Sequence, residues 1–343
     1  MPRDKVTKQI SELQNNFSSD QIKSSTIFQT LRSLKLSANF AEFNHLKTQG
    51  YAFNLVLSVL IWMTVQSKKT VNSSLSDLSD NGVRLGNDVY YRLKNSEKIC
   101  WRRILWYVVQ KFLFQTQKNS EKIDASSVKS KPHCLILDDT LLEKTGRKIE
   151  KIGKVFDHVN QRMVLGFKLL VGLYFDGKSA IPVDFSLVRE KGQKADKPFG
   201  MSKKHLRTQF CKKRAKDSEG ILRVKELDFS KIELSIQMFL RTVLHGITVD
   251  YVLCDSWFTC SSLLTAVRHK GSHLIGMYKI VKTKFEYRGK KLSYKQILLL
   301  SGKEKRCKSM NLYYKTARVL YDGMPVTLFF SKVGNFGQSV QKH

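Results

Sequence analysis

The stretch that decides the fold is His133–Thr140, which reads HCLILDDT: a nearly continuous apolar run that ends in two aspartates. Such a run is typical of a central strand that is covered on both faces. Val249–Cys254 has the same form and is followed directly by Asp255. Parallel strands of an α/β sheet bring their carboxyl ends, and usually their chemistry, to one edge. The two stretches therefore predict an α/β core with Asp138 and Asp255 at that edge.

This pair of acids suits a divalent cation. Neighbouring strands lie about 4.8 Å apart, so two aspartates at their ends would repel each other unless a cation lay between them. Carboxylate oxygens suit Mg²⁺ or Mn²⁺, which can activate a water or a 3′-hydroxyl and stabilise a leaving oxygen. Successive strand residues face opposite ways, so Asp139 is the weaker candidate beside Asp138. The alternative for either aspartate is a turn former or a helix cap.

Further strands are predicted around this core. Arg162–Phe175 and Ala180–Val188 are strand-like, and Asp176–Gly177 between them is a hairpin signal because type I′ turns need positive φ. Pro182 has no N–H to donate, which puts the second strand at a sheet edge.

Helix-capping and turn-forming residues mark the remaining elements of the second half of the chain. Ser230 and Glu233 form a capping box that opens a helix ending near Gly246. From Val281 onward the chain is predicted to be β-rich, with hairpins around Arg288–Gly289 and Asp322–Gly323.

The first third of the chain is predicted to be helical. Apolar spacing indicates helices at Leu31–Phe43, Ala52–Gln66, Asn87–Leu93 and Ile99–Phe114. Within it, GNDVYYRLKNSEKICWRR (Gly86–Arg103) predicts two basic helices joined by a turn, as in helix–turn–helix DNA readers. A plain helical bundle with a solvated basic face is the alternative. The candidate DNA contacts here are Arg92, Lys94, Arg102 and Arg103.

Charge points to a polyanionic partner. Lys and Arg number 60 against 29 acids in 343 residues, a net charge of +31, and phosphate neutralisation supplies most non-specific nucleic-acid affinity. No basic amphipathic helix, lipidation signal or sufficiently long apolar run favours a membrane instead. The basic segment Arg189–Arg214 is either a solvated surface or a phosphate-binding strip. Its candidate contacts are Lys203, Lys204, Arg207, Lys212, Lys213 and Arg214.

Several other chemistries lack their motifs. The six cysteines form no C-x-x-C pair, which disfavours zinc. The sequence has no phosphate-binding loop of the G-x-x-x-x-G-K-[ST] type, no G-x-G-x-x-G, no H-E-x-x-H and no G-x-S-x-G.

We predict five regions along the chain. They are a helical DNA-binding region at 1–115, a linker at 116–132, a catalytic core at 133–280, a β-rich insertion at 281–335 and an irregular tail at 336–343.

Two segments carry a family resemblance: LILDDTLLEKTGRKIEKIGKVFDHVNQRMVLGFKLLVGLYFDGKSAIPVDFSLVREKG, beginning at Leu135, and DYVLCDSWFTCSSLL, beginning at Asp250. They resemble bacterial insertion-sequence transposases of the DDE type, in or near the IS-four family, over about 135–333. The resemblance implies an RNase-H-like (retroviral-integrase-like) α/β core preceded by an all-α DNA-binding region. It makes Asp138 the first and Asp255 the second acid of the triad.

The resemblance also implies partners and a reaction. The family binds two Mg²⁺ ions, nicks the terminal repeats of its element in double-stranded DNA and joins the 3′-hydroxyl to target DNA. A homodimer on the DNA and a place in the bacterial cytoplasm, associated with the nucleoid, are expected.

The third acid of the family is a glutamate within a Y-x-x-R-x-x-x-E-x-x-x-x-x-x-K pattern, which this sequence does not contain. Glu286 and Glu304 lie in other contexts. We therefore expect a C-terminally truncated, inactive chain. The alternatives are a DNA-binding remnant that does not cut and a metal-dependent nuclease of the same fold.

Overall fold

The structure is a computed structural model. It describes residues 38, 40–47, 49–65, 67, 70–74, 86–123, 131–192, 194–278 and 283–332, with the backbone alone described at 65 and 117–123. The predicted tail at 336–343 and most of the predicted helix Leu31–Phe43 lie outside these residues. The chain divides into a first unit, Met1–His133 with Asp138–Thr248, and a second unit, Cys134–Leu137 with Val249–His343.

The first unit begins with helices packed around aromatic side chains. They are a 3₁₀ helix at Ala41–Leu46, then α1 (Phe53–Val65), α2 (Asn87–Lys94) and α3 (Trp101–Ile123). Phe43, Phe53 and Tyr90 are fully or almost fully buried between them, so the predicted helical region is confirmed where it is described. Helix α3 continues past Phe114 to Ile123, and the first part of the predicted linker is therefore helical. Its Gln, Lys and Glu residues are good helix formers, with no Gly or Pro to end the helix earlier.

A six-stranded mixed sheet confirms the mixed α/β class. Its strands are β1 (Cys134–Glu143), β2 (Gly153–Asp157), β3 (Arg162–Phe175), β4 (Ala180–Val188), β5 (Tyr251–Cys254) and β6 (His273–Gly276). The order is β2-β3-β1-β5-β6, with β4 also paired to β3. Strand β3 pairs antiparallel with β4, as the Asp176–Gly177 turn predicts, and also with β2, whereas β5 runs parallel to β1 and to β6. Strand β2 was not predicted.

The β3–β4 pair contains a bulge. Gly172 lies opposite Asp184 and Leu173 opposite Pro182, so Val183 is an extra residue on β4. Bulges are common where a proline cannot donate to a ladder. The bulge breaks the alternation of faces, because Val183 and Asp184 are neighbours and both are fully buried.

Helices α4 (Lys203–Arg207), α5 (Glu219–Glu226) and α6 (Lys231–Leu244) complete the first unit. Helix α6 begins with the predicted capping box between Ser230 and Glu233.

A buried ion cluster joins the helices of the first unit to β4. The Asp184 carboxylate is fully buried and accepts from Nε of Arg102 on α3 and Nε of Arg241 on α6, each at 2.6 Å. Arg102 also donates to Glu226 on α5 at 3.0 Å. Burial alone would lower the pKa of Arg102, but the facing Asp184 and Glu226 carboxylates raise it, so the guanidinium stays charged. One carboxylate thus holds two helices to the sheet.

The second unit contains β5, β6, the helix α7 (Ser261–His269) and a separate sheet. The elements of that sheet region are β7 (Phe285–Tyr287), β8 (Lys290–Leu292), α8 (Tyr294–Leu300), β9 (Lys305–Cys307), β10 (Leu312–Tyr321) and β11 (Met324–Lys332). Both predicted hairpins are present, β7–β8 and β10–β11. Helix α8 was not predicted; its Ile297 is buried against Phe285 and Val319.

Among the described residues, no helix combines the length and the apolar character that crossing a bilayer requires.

Candidate metal and nucleic-acid site

Two strands of the mixed sheet pair in the predicted way. The parallel register of β1 and β5 begins at Cys134 with Tyr251 and ends at Leu137 with Cys254. An aspartate comes next after each paired stretch. Asp255 directly follows the end of β5, whereas Asp138 lies inside β1, which continues to Glu143, and so is not at a strand end as the apolar run predicted. The expectation that these apolar stretches are parallel neighbours is therefore confirmed.

Asp255 also shapes the turn that follows β5. Its Oδ1 accepts from the N–H of Trp257 at 2.9 Å, and its carbonyl accepts from the Thr259 hydroxyl at 3.0 Å. This is the turn-forming role that the sequence left open as an alternative. It occupies one carboxylate oxygen, and within the described residues the other has no hydrogen-bond partner.

Asp138 is exposed to solvent, and its carboxylate makes few contacts within the described part of the protein. Its Oδ1 accepts only from the N–H of the next residue, Asp139, at 2.8 Å. No ion pair reaches Asp138 from any residue that the structure describes. Its carboxylate is therefore available to a cation.

Asp139 is in a different environment. Its side chain is only 11% exposed, and each oxygen faces an ammonium: Lys231 at Oδ1 and Lys168 at Oδ2, the latter at 3.6 Å. Lys168 lies in the middle of β3, is 9% exposed and also pairs with Glu190 at 3.0 Å. Asp139 is thus already neutralised by the protein's own cations, which agrees with its place as the weaker ligand candidate.

The donors at these strand ends suit a hard cation better than a soft one. Cys254 precedes Asp255, and burial raises the pKa of its thiol to about 11, aided by the nearby Asp255 charge and opposed by a contact with Thr259. The thiol therefore stays protonated at neutral pH, and the carboxylates remain as oxygen donors of the kind that Mg²⁺ prefers. In the part of the chain that the structure covers, no group of three or more His, Cys, Asp or Glu side chains could hold a metal.

The predicted DNA contacts on the helices differ in what surrounds them. Arg92 pairs with Asp88 one turn earlier on α2, and the Lys94 ammonium lies 6.0 Å from the ring centre of Tyr91. Arg103 is exposed. Arg102 is directed inward to the Asp184 cluster, so its guanidinium has a structural task.

The basic segment of the first unit contains two kinds of cation. Lys212 pairs with Glu97 at 2.7 Å. Arg214 donates to Glu150 through both of its terminal nitrogens, Nη1 and Nη2, the Nη1 contact being 2.7 Å long. The hydrogen bond from Arg214 lowers the pKa of Glu150. These two cations fasten the segment to the rest of the first unit. The others are exposed: Lys203, Lys204, Arg207 and Lys213.

Sequence reasoning missed the buried charges. Lys168 interrupts the apolar run of β3, and Asp184 interrupts that of β4. A single charged residue inside a buried strand was the signal that could have found both, because such residues are almost never buried unless paired.

Comparison with known proteins gives structural likeness alone. No family model matches the chain, and no curated protein matches it. One similar solved structure is that of the piggyBac transposase in a synaptic complex with hairpin DNA, at 11% identity and a TM-score of 0.32 over 90% of this chain and 60% of that one. Another is the Drosophila P element transposase strand transfer complex, at 10% identity and a TM-score of 0.32 over 80% of this chain and 55% of that one. The chain thus spans less than two thirds of either.

Proposed function

We propose that this protein is a DNA transposase of the DDE type with an RNase-H-like core, in which Asp138 and Asp255 bind Mg²⁺ or Mn²⁺. The observation that carries the proposal is the parallel register of β1 and β5, directly beyond which lie Asp138, still within β1, and Asp255, just after the end of β5. The carboxyl ends of parallel strands are where α/β proteins place their chemistry, and Asp255 follows such an end. The resemblance of both segments to insertion-sequence transposases points the same way.

In this proposal the two aspartates have one task, to hold the cation. When bound, the cation supplies an activated water or 3′-hydroxyl and neutralises charge on the leaving oxygen of a phosphodiester. The chain's own contribution is to fix the donors: the hydrogen bond from the Trp257 N–H orients Asp255, and the hydrogen bond from the Asp139 N–H orients Asp138.

The exposed cations would hold the DNA. We assign phosphate contacts to Arg103, Lys203, Lys204, Arg207 and Lys213, since their charges are exposed to solvent. Arg92 and Lys94 would join them at the edge of α2. Arg102, Lys212 and Arg214 would support the DNA surface through their ion pairs with Asp184, Glu97 and Glu150. The substrate is double-stranded DNA with the element's terminal repeats, together with target DNA, bound by a homodimer.

The test uses the full chain, Mg²⁺ or Mn²⁺, and a plasmid that carries the DNA flanking the gene on both sides. Metal-dependent nicks at the boundaries of the element would support the proposal and overturn the expectation, drawn from the missing third acid, that this chain is inactive. Asp138→Asn and Asp255→Asn should each abolish nicking, whereas the turn variant Asp176→Asn should not. Equal cutting of a plasmid without these flanks would indicate a general nuclease and contradict the transposase proposal.

A second candidate is a DNA-binding protein that does not cut. It is favoured by the absence, among the described residues, of a group of three acidic or other ligating side chains. Salt-dependent binding to the flanking DNA without any nicking, in Mg²⁺ and in Mn²⁺, would select this candidate.

A further inference from the structure

The two neighbouring aspartates in the middle of β1 have different surroundings. Asp138 is exposed and accepts one backbone hydrogen bond, while Asp139 is largely buried and faces two lysines. Resting on the function proposed above, we infer that Asp139, Lys168 and Lys231 form a positioning cluster that fixes Asp138 for its cation. None of the three would touch the metal.

The cluster is built from three separate elements. Asp139 lies on β1, Lys168 on β3, and Lys231 at the first turn of α6. A neighbouring residue outside the cluster, Glu190, pairs with Lys168 at 3.0 Å and accepts a hydrogen bond from the N–H of Phe156 on β2 at 3.1 Å. These ion pairs connect two neighbouring strands and the start of a helix, and they restrain the position of Asp139, and with it Asp138, in the middle of β1.

Charge explains why Asp139 would not serve as the ligand itself. A carboxylate between two ammonium groups has little net attraction left for a dication, and both oxygens are already engaged. Lys168 in turn is 9% exposed and is stabilised by two carboxylates. Removing one of these carboxylates would leave the buried charge of Lys168 partly unpaired, which destabilises the fold, so the residues of the cluster depend on one another.

The connection to Asp138 is direct. The N–H of Asp139 donates to Oδ1 of Asp138 at 2.8 Å, so a shift of Asp139 moves the donor that orients the ligand. In metal sites, residues that orient the ligands typically change metal affinity by about 10–100-fold when they are replaced.

Lys231→Met gives a test in which position and charge predict opposite results. Lys231 is the more exposed lysine of the cluster, with 20% of its side chain accessible, so its replacement is the milder one. Lys231 and Mn²⁺ are both positively charged, so removing Lys231 should by electrostatics alone tighten Mn²⁺ binding, because their repulsion is lost. If Lys231 positions the ligand, binding should weaken instead, by about tenfold, and Lys231→Arg should restore it.

The measurement is Mn²⁺ titration of the full chain, with free Mn²⁺ followed by electron paramagnetic resonance. Thermal unfolding without metal shows whether each variant is folded. Asp139→Asn combined with Lys168→Met removes both buried charges, so that Lys168 is not left buried without the Asp139 carboxylate. That pair should weaken Mn²⁺ binding by about tenfold, while Asp138→Asn should abolish it.

Each outcome decides the inference. Weaker binding in Lys231→Met with recovery in Lys231→Arg supports it. Unchanged or tighter binding in Lys231→Met overturns it and leaves the metal site intact. Complete loss in the folded Asp139→Asn, Lys168→Met chain would make Asp139 a ligand and also overturn it. A wild-type chain without Mn²⁺ binding, or one whose binding survives Asp138→Asn, would remove the proposed function and this inference with it.

Discussion

Replacing Asp184 by asparagine tests the ion cluster that joins two helices to β4. The carboxylate is fully buried and receives Nε of Arg102 and Nε of Arg241, each at 2.6 Å. Asparagine has nearly the same shape but no charge, so both arginines would lose their shared counter-ion. Arg102 would retain Glu226, at 3.0 Å, whereas Arg241 has one buried nitrogen, Nη2, that is already without a hydrogen-bond partner.

The expected loss follows from the cost of leaving buried charge unpaired. Breaking a buried ion pair by removing one partner costs about 3–5 kcal/mol, and the remaining Glu226 favours the lower half of that range. For a unit of this size a loss in that lower half corresponds to a fall in melting temperature of roughly 6–16 °C. Because the chain has two units, both circular dichroism and tryptophan fluorescence should be followed in urea.

Asp176→Asn is the matched control. Asp176 lies in the turn between β3 and β4, where its Oδ1 accepts from the N–H groups of Lys178 and Ser179. An amide oxygen can accept both bonds, so this variant should stay within about 0.5 kcal/mol of the wild type. If Asp184→Asn lost no more stability than Asp176→Asn, the ion cluster would not hold the helices to the sheet.

Three further results are expected. Glu150→Gln should destabilise the chain at neutral pH, and the difference should shrink as the pH falls from the ordinary glutamate range through the pKa of Glu150, which the hydrogen bond from Arg214 lowers, because a depressed carboxylate pKa contributes stability only while the group is ionised; urea unfolding at several pH values measures this, and a constant difference would contradict it. Gly323→Ala should cost about 1 kcal/mol because φ is 77° there, whereas Gly302→Ala, which has open space and no positive φ, should cost less; equal melting temperatures would refute the strain. Arg207→Ala should reduce the slope of log affinity for DNA against log salt by about 0.9, and an unchanged slope would show that Arg207 touches no phosphate; Lys178→Ala is the comparison.

The features that sequence predicted depend on neighbours along the chain. The parallel pair β1–β5 followed from two unbroken apolar runs, and the turns at Asp176, Arg288 and Asp322 followed from the glycine after each. The capping box at Ser230 needed only a residue three positions away. For the turns and the capping box the stabilising partner, or the positive φ, is local, whereas the distant strands β1 and β5 were predictable because each has its own apolar run.

The features that escaped prediction depend on distant partners. Arg102 and Asp184 are 82 positions apart, so Arg102 looked like one more cation of a basic helix. The ion pairs of Lys168 and Lys231 with Asp139 connect β1, β3 and α6. No spacing in the sequence indicates that these residues meet. The candidate site was therefore predictable in its two acids but not in the charges that support them.

The order in which the chain is synthesised has a consequence for strand β1. One edge of β1 pairs with β3, which follows soon after it, but Cys134–Leu137 receives its other partner only when Tyr251–Cys254 has been synthesised. At the usual pace of translation this interval is on the order of ten seconds. During that time an apolar strand edge is open to pairing with other chains. Slower expression at low temperature, or a chaperone that covers this edge, should therefore raise the yield of folded protein.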